Sequence, residues 1–307
     1  MPQPPRQKAS DFDPEVLRLF DQYVHGQIDR RGFLLGAARF AVGAAGAAGL
    51  LAALNPQFAA AQQVKPDDAR LAAEYLEFPS PAGYGNSRGY LVKPAKADGP
   101  LPVVLVVHEN RGLNPHIEDI TRRLALEGFI AFAPDALFPL GGYPGDEDAA
   151  RALFGNLDQA RTREDFLAAA QMLRGIAGGN GRLGVVGFCY GGGMANFLAT
   201  RLPDLQAAAP FYGNAAPLED VPNIKAELLV VLAEHDERIN AAWPEYEAAL
   251  KQAGVRYALF QPAGTQHGFN NDTTPRYDED AAREAWRRTL ELFNRTLRGN
   301  ADLGSPA

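Results

Sequence analysis

Leu183-Gly184-Val185-Val186-Gly187-Phe188-Cys189-Tyr190-Gly191-Gly192-Gly193 decides how the chain is read. A short β-branched run enters a turn of alternating glycines, and a helical pattern opens directly behind it, so the segment predicts strand, sharp turn and helix. Cys189 stands at the turn, between Gly187 and Gly191. A turn this tight pushes neighbouring backbones together and leaves no room for a Cβ at the flanking positions, which is the reason for glycine there. The side chain at the apex is then held at a helix N-terminus, where the dipole and free N–H groups favour an anion. For a cysteine the anion is the thiolate, the attacking species in acyl transfer.

Working outward, Tyr75–Phe78 and Gly89–Val92 flank a loop rich in Pro, Gly, Asn and Ser and predict an antiparallel pair at a sheet edge. Pro102–His108, Phe129–Ala133, Leu183–Gly187, Ala207–Phe211, Glu227–Ala233 and Tyr257–Gln261 are short apolar runs of the kind buried on both faces. Between them, Ile117–Glu127, Arg161–Ile176, Met194–Arg201, Pro244–Ala253 and Asp278–Leu297 repeat apolar residues at helical spacing, as Phe166, Ala169, Ala170 and Leu173 do. Alternating β and α predicts an α/β fold, a mostly parallel sheet with helices on both faces. In such folds the site lies at the carboxyl ends of the strands.

Two further strand ends carry groups that suit a thiolate. Glu227–Ala233 runs into Glu234-His235-Asp236, and Tyr257–Gln261 runs through Pro262-Ala263-Gly264-Thr265-Gln266 into His267-Gly268-Phe269. Nucleophile, acid and histidine follow one another in the chain order of α/β-hydrolases. His267 is expected as the general base and Asp236 as the group that fixes its tautomer, with His235, Glu234 and Glu237 as the rivals at the same turns. Behind Val103–Val107 comes His108-Glu109-Asn110-Arg111-Gly112. In this fold that loop gives one backbone N–H to an oxyanion hole and the residue after the nucleophile gives the other, which points to Asn110 and Tyr190.

Glu109, Gly112, the Gly187–Gly192 turn, Asp236 and His267-Gly268-Phe269 together resemble the dienelactone hydrolase (carboxymethylenebutenolidase) family over roughly 75–297. The resemblance implies an ester or lactone substrate, an acyl-enzyme on Cys189, and a Glu109 that accepts the thiol proton when substrate binds. It also implies arginines that grip a substrate carboxylate. Arg151, in the helix-like Asp148–Phe154 segment, matches one of them, with a solvated helix charge as the alternative. Where a second arginine is expected after His267, the sequence has Asn270-Asn271-Asp272; Arg111 and Arg276 are the candidates to replace it. A general carboxylesterase or thioesterase would use the same triad, and a non-catalytic binding protein could keep the scaffold.

Composition narrows the partners. A net charge of −7 with no long Lys/Arg run argues against nucleic acid. A single cysteine excludes an internal disulfide, and five scattered histidines show no zinc-ligand spacing, so neither metal nor cofactor is expected. At the N-terminus, polar residues 1–28 precede Asp29-Arg30-Arg31-Gly32-Phe33-Leu34-Leu35, which resembles a twin-arginine export signal. An apolar stretch over Phe40–Leu54 follows, then Ala59-Ala60-Ala61 as a cleavage pattern. The expectation is a removable 1–61 leader, transient contact with export machinery, and a periplasmic or secreted catalytic domain over 62–307. The alternative is an uncleaved helix that anchors the chain to a membrane.

Overall fold

The computed structural model describes residues 7–41 and 46–298. Its centre is one eight-stranded sheet. The strands are β1 (Leu71–Ser80), β2 (Gly85–Pro94), β3 (Leu101–Val107), β4 (Ile130–Pro134), β5 (Gly179–Phe188), β6 (Leu205–Phe211), β7 (Glu227–Val231) and β8 (Tyr257–Phe260). Their order is β1-β2-β4-β3-β5-β6-β7-β8. β1 and β2 are antiparallel to each other and β2 to β4, while every pairing from β4 to β8 is parallel. The edge hairpin is longer than its apolar pattern suggested. Its outer strand is largely exposed and starts on Ala72-Ala73-Glu74, residues with little strand preference that the ladder to β2 holds in place.

The described residues also form eleven α-helices: α1 (Pro14–Val24), α2 (Arg30–Ala37), α3 (Gly46–Leu54), α4 (Phe58–Ala61), α5 (Pro115–Leu126), α6 (Glu147–Gly155), α7 (Gln159–Arg174), α8 (Tyr190–Arg201), α9 (Glu237–Asn240), α10 (Trp243–Gln252) and α11 (Glu279–Leu297). Side-chain caps set several starts. Asn114 Oδ1 accepts from Ile117 N at 3.2 Å, Asp146 Oδ1 from Ala149 N at 2.8 Å and Asp278 Oδ1 from Ala281 N at 2.9 Å.

Successive residues of β3 point to opposite faces and so feed two cores. Val103, Leu105 and Val107 pack with Phe166, Leu173, Leu198 and Leu250 of α7, α8 and α10. Val104 and Val106 pack with Ile117, Leu124, Ala285 and Phe293 of α5 and α11. A third apolar cluster lies apart from both. It is made by Phe12, Val16, Leu17, Leu19, Phe20, Tyr23, Phe33, Ala37, Leu51 and Leu54. α1, with Asp13 as cap and Pro14 at its first position, is strongly amphipathic and gives half of that cluster.

The expected export leader therefore falls on folded chain in its described part. Arg30 and Arg31 open α2 behind the cap Asp29. Of the apolar stretch Phe40–Leu54, residues 42–45 lie outside the described residues. No helix among the described residues is long and apolar enough to cross a membrane. Just past Ala61 the chain is pinned to α5, with Gln63 N and Val64 N donating to the two oxygens of Asp119 at 3.0 and 2.8 Å.

Candidate active site

Strand connections run in opposite directions from the β3/β5 pair, to β4 on one side and β6 on the other, so a crevice opens at its carboxyl end. Cys189 leaves β5 there and opens α8. Its φ of +55° lies in the left-handed region, a strained setting for a non-glycine residue. The glycines make the turn possible: an added Cβ on Gly187 would fall 2.0 Å from Gly191 O, and one on Gly191 would fall 2.2 Å from Val107 O. Backbone strain and close packing thus hold Sγ over the sheet edge, where α8 begins with Tyr190.

His267 and Asp236 meet in the same crevice. Asp236 caps α9, taking Ile239 N on Oδ1 at 3.4 Å, while its Oδ2 lies 2.5 Å from His267 Nδ1. Both are buried, and the Tyr212 ring packs against the imidazole with centroids 4.9 Å apart. His267 Nε2 has no hydrogen-bond partner, and a ring nitrogen of His267 lies within 4.8 Å of the sulfur. Burial raises the Cys189 thiol, but the His267 and His25 imidazoles outweigh it and the pKa falls to about 6. Burial depresses His267; the adjoining thiolate and Asp236 overcome that and raise it. Both shifts favour the charged forms, thiolate and imidazolium.

His235, the sequence rival, is exposed and faces Glu234 at 3.7 Å. His108 ends β3 fully buried, and desolvation drives its pKa down to about 4, so it is a neutral hydrogen-bonding group beneath the site. Glu109 lines the same pocket as Cys189, and its Oε2 accepts from Asn271 Nδ2 at 2.9 Å. Asn271, which stands where an arginine was expected, orients Glu109 instead. Asn110 and Arg111 follow on the same loop, and Arg111 is buried against Glu147, 3.7 Å away. Arg151 stands on α6, and Arg276 is buried and lines the pocket beside Arg111.

Sequence reasoning missed the N-terminal contribution. His25, just behind α1, places Nε2 3.5 Å from Cys189 Sγ and its ring edge-on to His267, with centroids 4.7 Å apart. Asp21 lies 3.3 Å from His25 Nδ1, and Arg238 Nη2 lies 3.1 Å from Nε2. The signal available was the helix itself, Asp13-Pro14 followed by Val16, Leu17, Leu19, Phe20 and Tyr23 at helical spacing. His25, Cys189 and His267 bring three ligand-type atoms within 4.8 Å of one another, although spacing along the chain showed no such set. The fixed Arg238 cation against His25 Nε2 is a poor neighbour for a metal there.

Comparison with known proteins gives the family. The family model "Dienelactone hydrolase family" matches residues 87–297, and a separate model, "YqhI-like", matches residues 3–42. A protein of Escherichia coli (strain K12) with the name "Putative carboxymethylenebutenolidase" is 33% identical over 243 residues, 74% of this chain and 88% of that one. The "Putative hydrolase fragment YghX" of the same strain is 56% identical over 105 residues, 34% of this chain and 90% of that one. Among solved structures, that of a "Putative Dienelactone Hydrolase" from Klebsiella pneumoniae superposes with a TM-score of 0.65 at 29% identity, over 73% of this chain and 99% of that one. The chain belongs to the dienelactone hydrolase family.

Proposed function

We propose that the protein cleaves an ester or lactone by covalent catalysis, with Cys189 as nucleophile, His267 as acid and base, and Asp236 as the group that orients it. One arrangement supports this above all: a strained cysteine at the strand–helix turn, with a carboxylate-bound imidazole beside it whose Nε2 has no partner. The thiolate attacks the carbonyl carbon and forms a C–S bond. The tetrahedral oxyanion is met by the N–H groups of Tyr190 and Asn110. As the C–O bond breaks, the alkoxide takes the proton from the His267 imidazolium. Water then attacks the thioester, giving its proton to His267, and release of the acid restores the thiolate. Glu109 is held by Asn271 beside this path. Arg111 and Arg276 line the pocket and suit an acceptor-rich or anionic acyl group. Replacing Cys189 by Ala should abolish hydrolysis of small esters and lactones; hydrolysis that survives would move the nucleophile elsewhere.

We infer further that residues 1–61 are an export leader and that the hydrolase works in the periplasm or outside the cell. The order of twin arginines, apolar stretch and Ala59-Ala60-Ala61 supports this, as does the anchoring of Gln63 and Val64 on Asp119, which gives a mature chain a tethered start. Exported material should begin at or near Gln62; an intact Met1 in a membrane fraction would favour the anchor instead.

A further inference from the structure

The groups expected to grip a substrate are already occupied, and by the chain itself. Val24 O accepts from Asn110 Nδ2 at 3.0 Å and from Arg111 Nη1 at 3.3 Å. Tyr23 O accepts from Arg151, whose guanidinium also lies over the Tyr23 ring at 4.2 Å. Asp21 Oδ1 forms an ion pair with Arg276 Nη1 at 3.5 Å, and Arg276 lies over the Phe20 ring at 5.2 Å. Arg111, Arg151 and Arg276 are therefore all turned to residues 20–24. One residue further on, His25 takes the sulfur's contact at 3.5 Å while His267 Nε2 is left without a partner. Cys189 is 9% exposed, and the space left over it is about 40 Å³, room for a few waters and not for an ester.

We propose that the N-terminal segment is an intramolecular plug: residues 20–25 stand in the substrate's place, their main-chain carbonyls and Asp21 imitating its acceptor oxygens, and Cys189 turns over only when the segment withdraws. The way the segment is built fits withdrawal as a unit. Its apolar cluster is its own, separate from both body cores, so it keeps its packing when it lifts. Its ties to the site are polar or aromatic-face contacts, which water can replace. The Tyr23 hydroxyl and Arg30 add contacts to Asp148 on α6, the latter at 3.1 Å. A cut after Ala61 would remove every one of these contacts together, which would make the leader proposed above an inhibitory one as well.

The proposal rests on Cys189 being the nucleophile, and its test separates the two. Iodoacetamide labelling of Cys189 reports access to the sulfur whatever the substrate, while hydrolysis of a small ester reports turnover. Two full-length variants loosen the plug from different sides. Phe33→Ala empties a fully buried position between the Phe20 and Tyr23 rings, whose centroids lie 6.2 and 5.9 Å from its own. His25→Ala removes the contact at the sulfur. Labelling should be slow in the unaltered chain and rise at least about tenfold in both variants, with kcat/KM for the ester rising in step. Equal labelling of all three chains overturns the plug, and so does faster labelling with a fall in hydrolysis, which would make the segment part of the working site. If no ester is cleaved by any chain while labelling still rises, the plug stands and the hydrolase assignment fails. Hydrogen exchange over α1 and α2 checks that the variants loosen the segment and leave the strands protected.

Discussion

The N-terminal segment and the hydrolase body are held together by different physics. In the body, β3 and β5 are buried on both faces, and apolar packing of α7 and α8 on one side and α5 and α11 on the other fixes the strand ends that carry Cys189, Asp236 and His267. The segment has a ten-residue apolar cluster of its own and meets the body through Arg111, Arg151, Arg276, Asp148 and the thiol. Apolar burial of about 25 cal/mol per Å² does not depend on a partner's charge state, whereas a polar tie exchanges one hydrogen-bond partner for water and contributes only about 0.5–1.5 kcal/mol net. A module with its own core and a polar contact surface is placed to move as one piece over a body that does not.

The sharpest contrast should come from the two histidines beside one sulfur. His267→Ala removes the group that both takes and returns the proton, and kcat should fall by about 10⁴-fold or more. His25→Ala should not lower it. A comparable loss from both would erase the distinction between catalytic body and covering segment.

Core packing gives the next contrast. Phe166, fully buried between α7 and the sheet, should cost about 3–5 kcal/mol of global stability when changed to Ala, measured by denaturant unfolding. Phe33 is as deeply buried, but in the segment. Phe33→Ala should leave the main unfolding transition where it is and appear only as a low early step. One shared transition, shifted equally by both changes, would mean that the two regions unfold as a unit.

A smaller effect concerns pH. The Cys189 thiol is pushed up by burial and brought down to about 6 by His267 and His25 together. Labelling of the unaltered chain should therefore climb through a limb near pH 6, and deleting His25 removes one lowering influence and should move that limb upward. A limb that stays in place would leave His267 as the sole source of the shift.

The smallest change is expected where the body receives residues 62–64. Burial raises the Asp272 carboxyl, yet His116 and Arg123 prevail and hold it at about 2. Its folded pKa is thus below its unfolded value of about 3.9, so the stabilisation is present above that value and is lost as pH falls toward 2. Asp272→Asn should flatten the acid limb of stability while leaving neutral-pH hydrolysis intact; an unchanged acid limb would remove Asp272 from that account.

Much of the body was legible in the sequence because its signals are local and repeated. Val103–Val107 alternates between two cores, Asn114 and Asp278 cap helices, and Gly187 and Gly191 stand where no Cβ fits. The strand-end rule then placed Cys189, Asp236 and His267 in one crevice before any distance was known. The role of Asn271 was not legible, since its bond to Glu109 spans 162 residues of sequence. His25 was hidden for a different reason. Its helix is amphipathic and well capped, but the twin arginines behind it gave the segment a competing explanation as a leader, and nothing in the residues themselves says that the apolar face of α1 closes on Phe33 and turns residues 20–25 onto the site.

The central claim is that Cys189 carries the acyl group. Mixing the full-length chain, and the Phe33→Ala chain beside it, with a small ester or lactone under single-turnover conditions and reading peptide masses tests it directly. The account predicts acyl mass on the Cys189 peptide that appears and decays with turnover, and more of it early in the Phe33→Ala chain. Turnover with no acyl mass on Cys189, or with that mass on another residue, would contradict it.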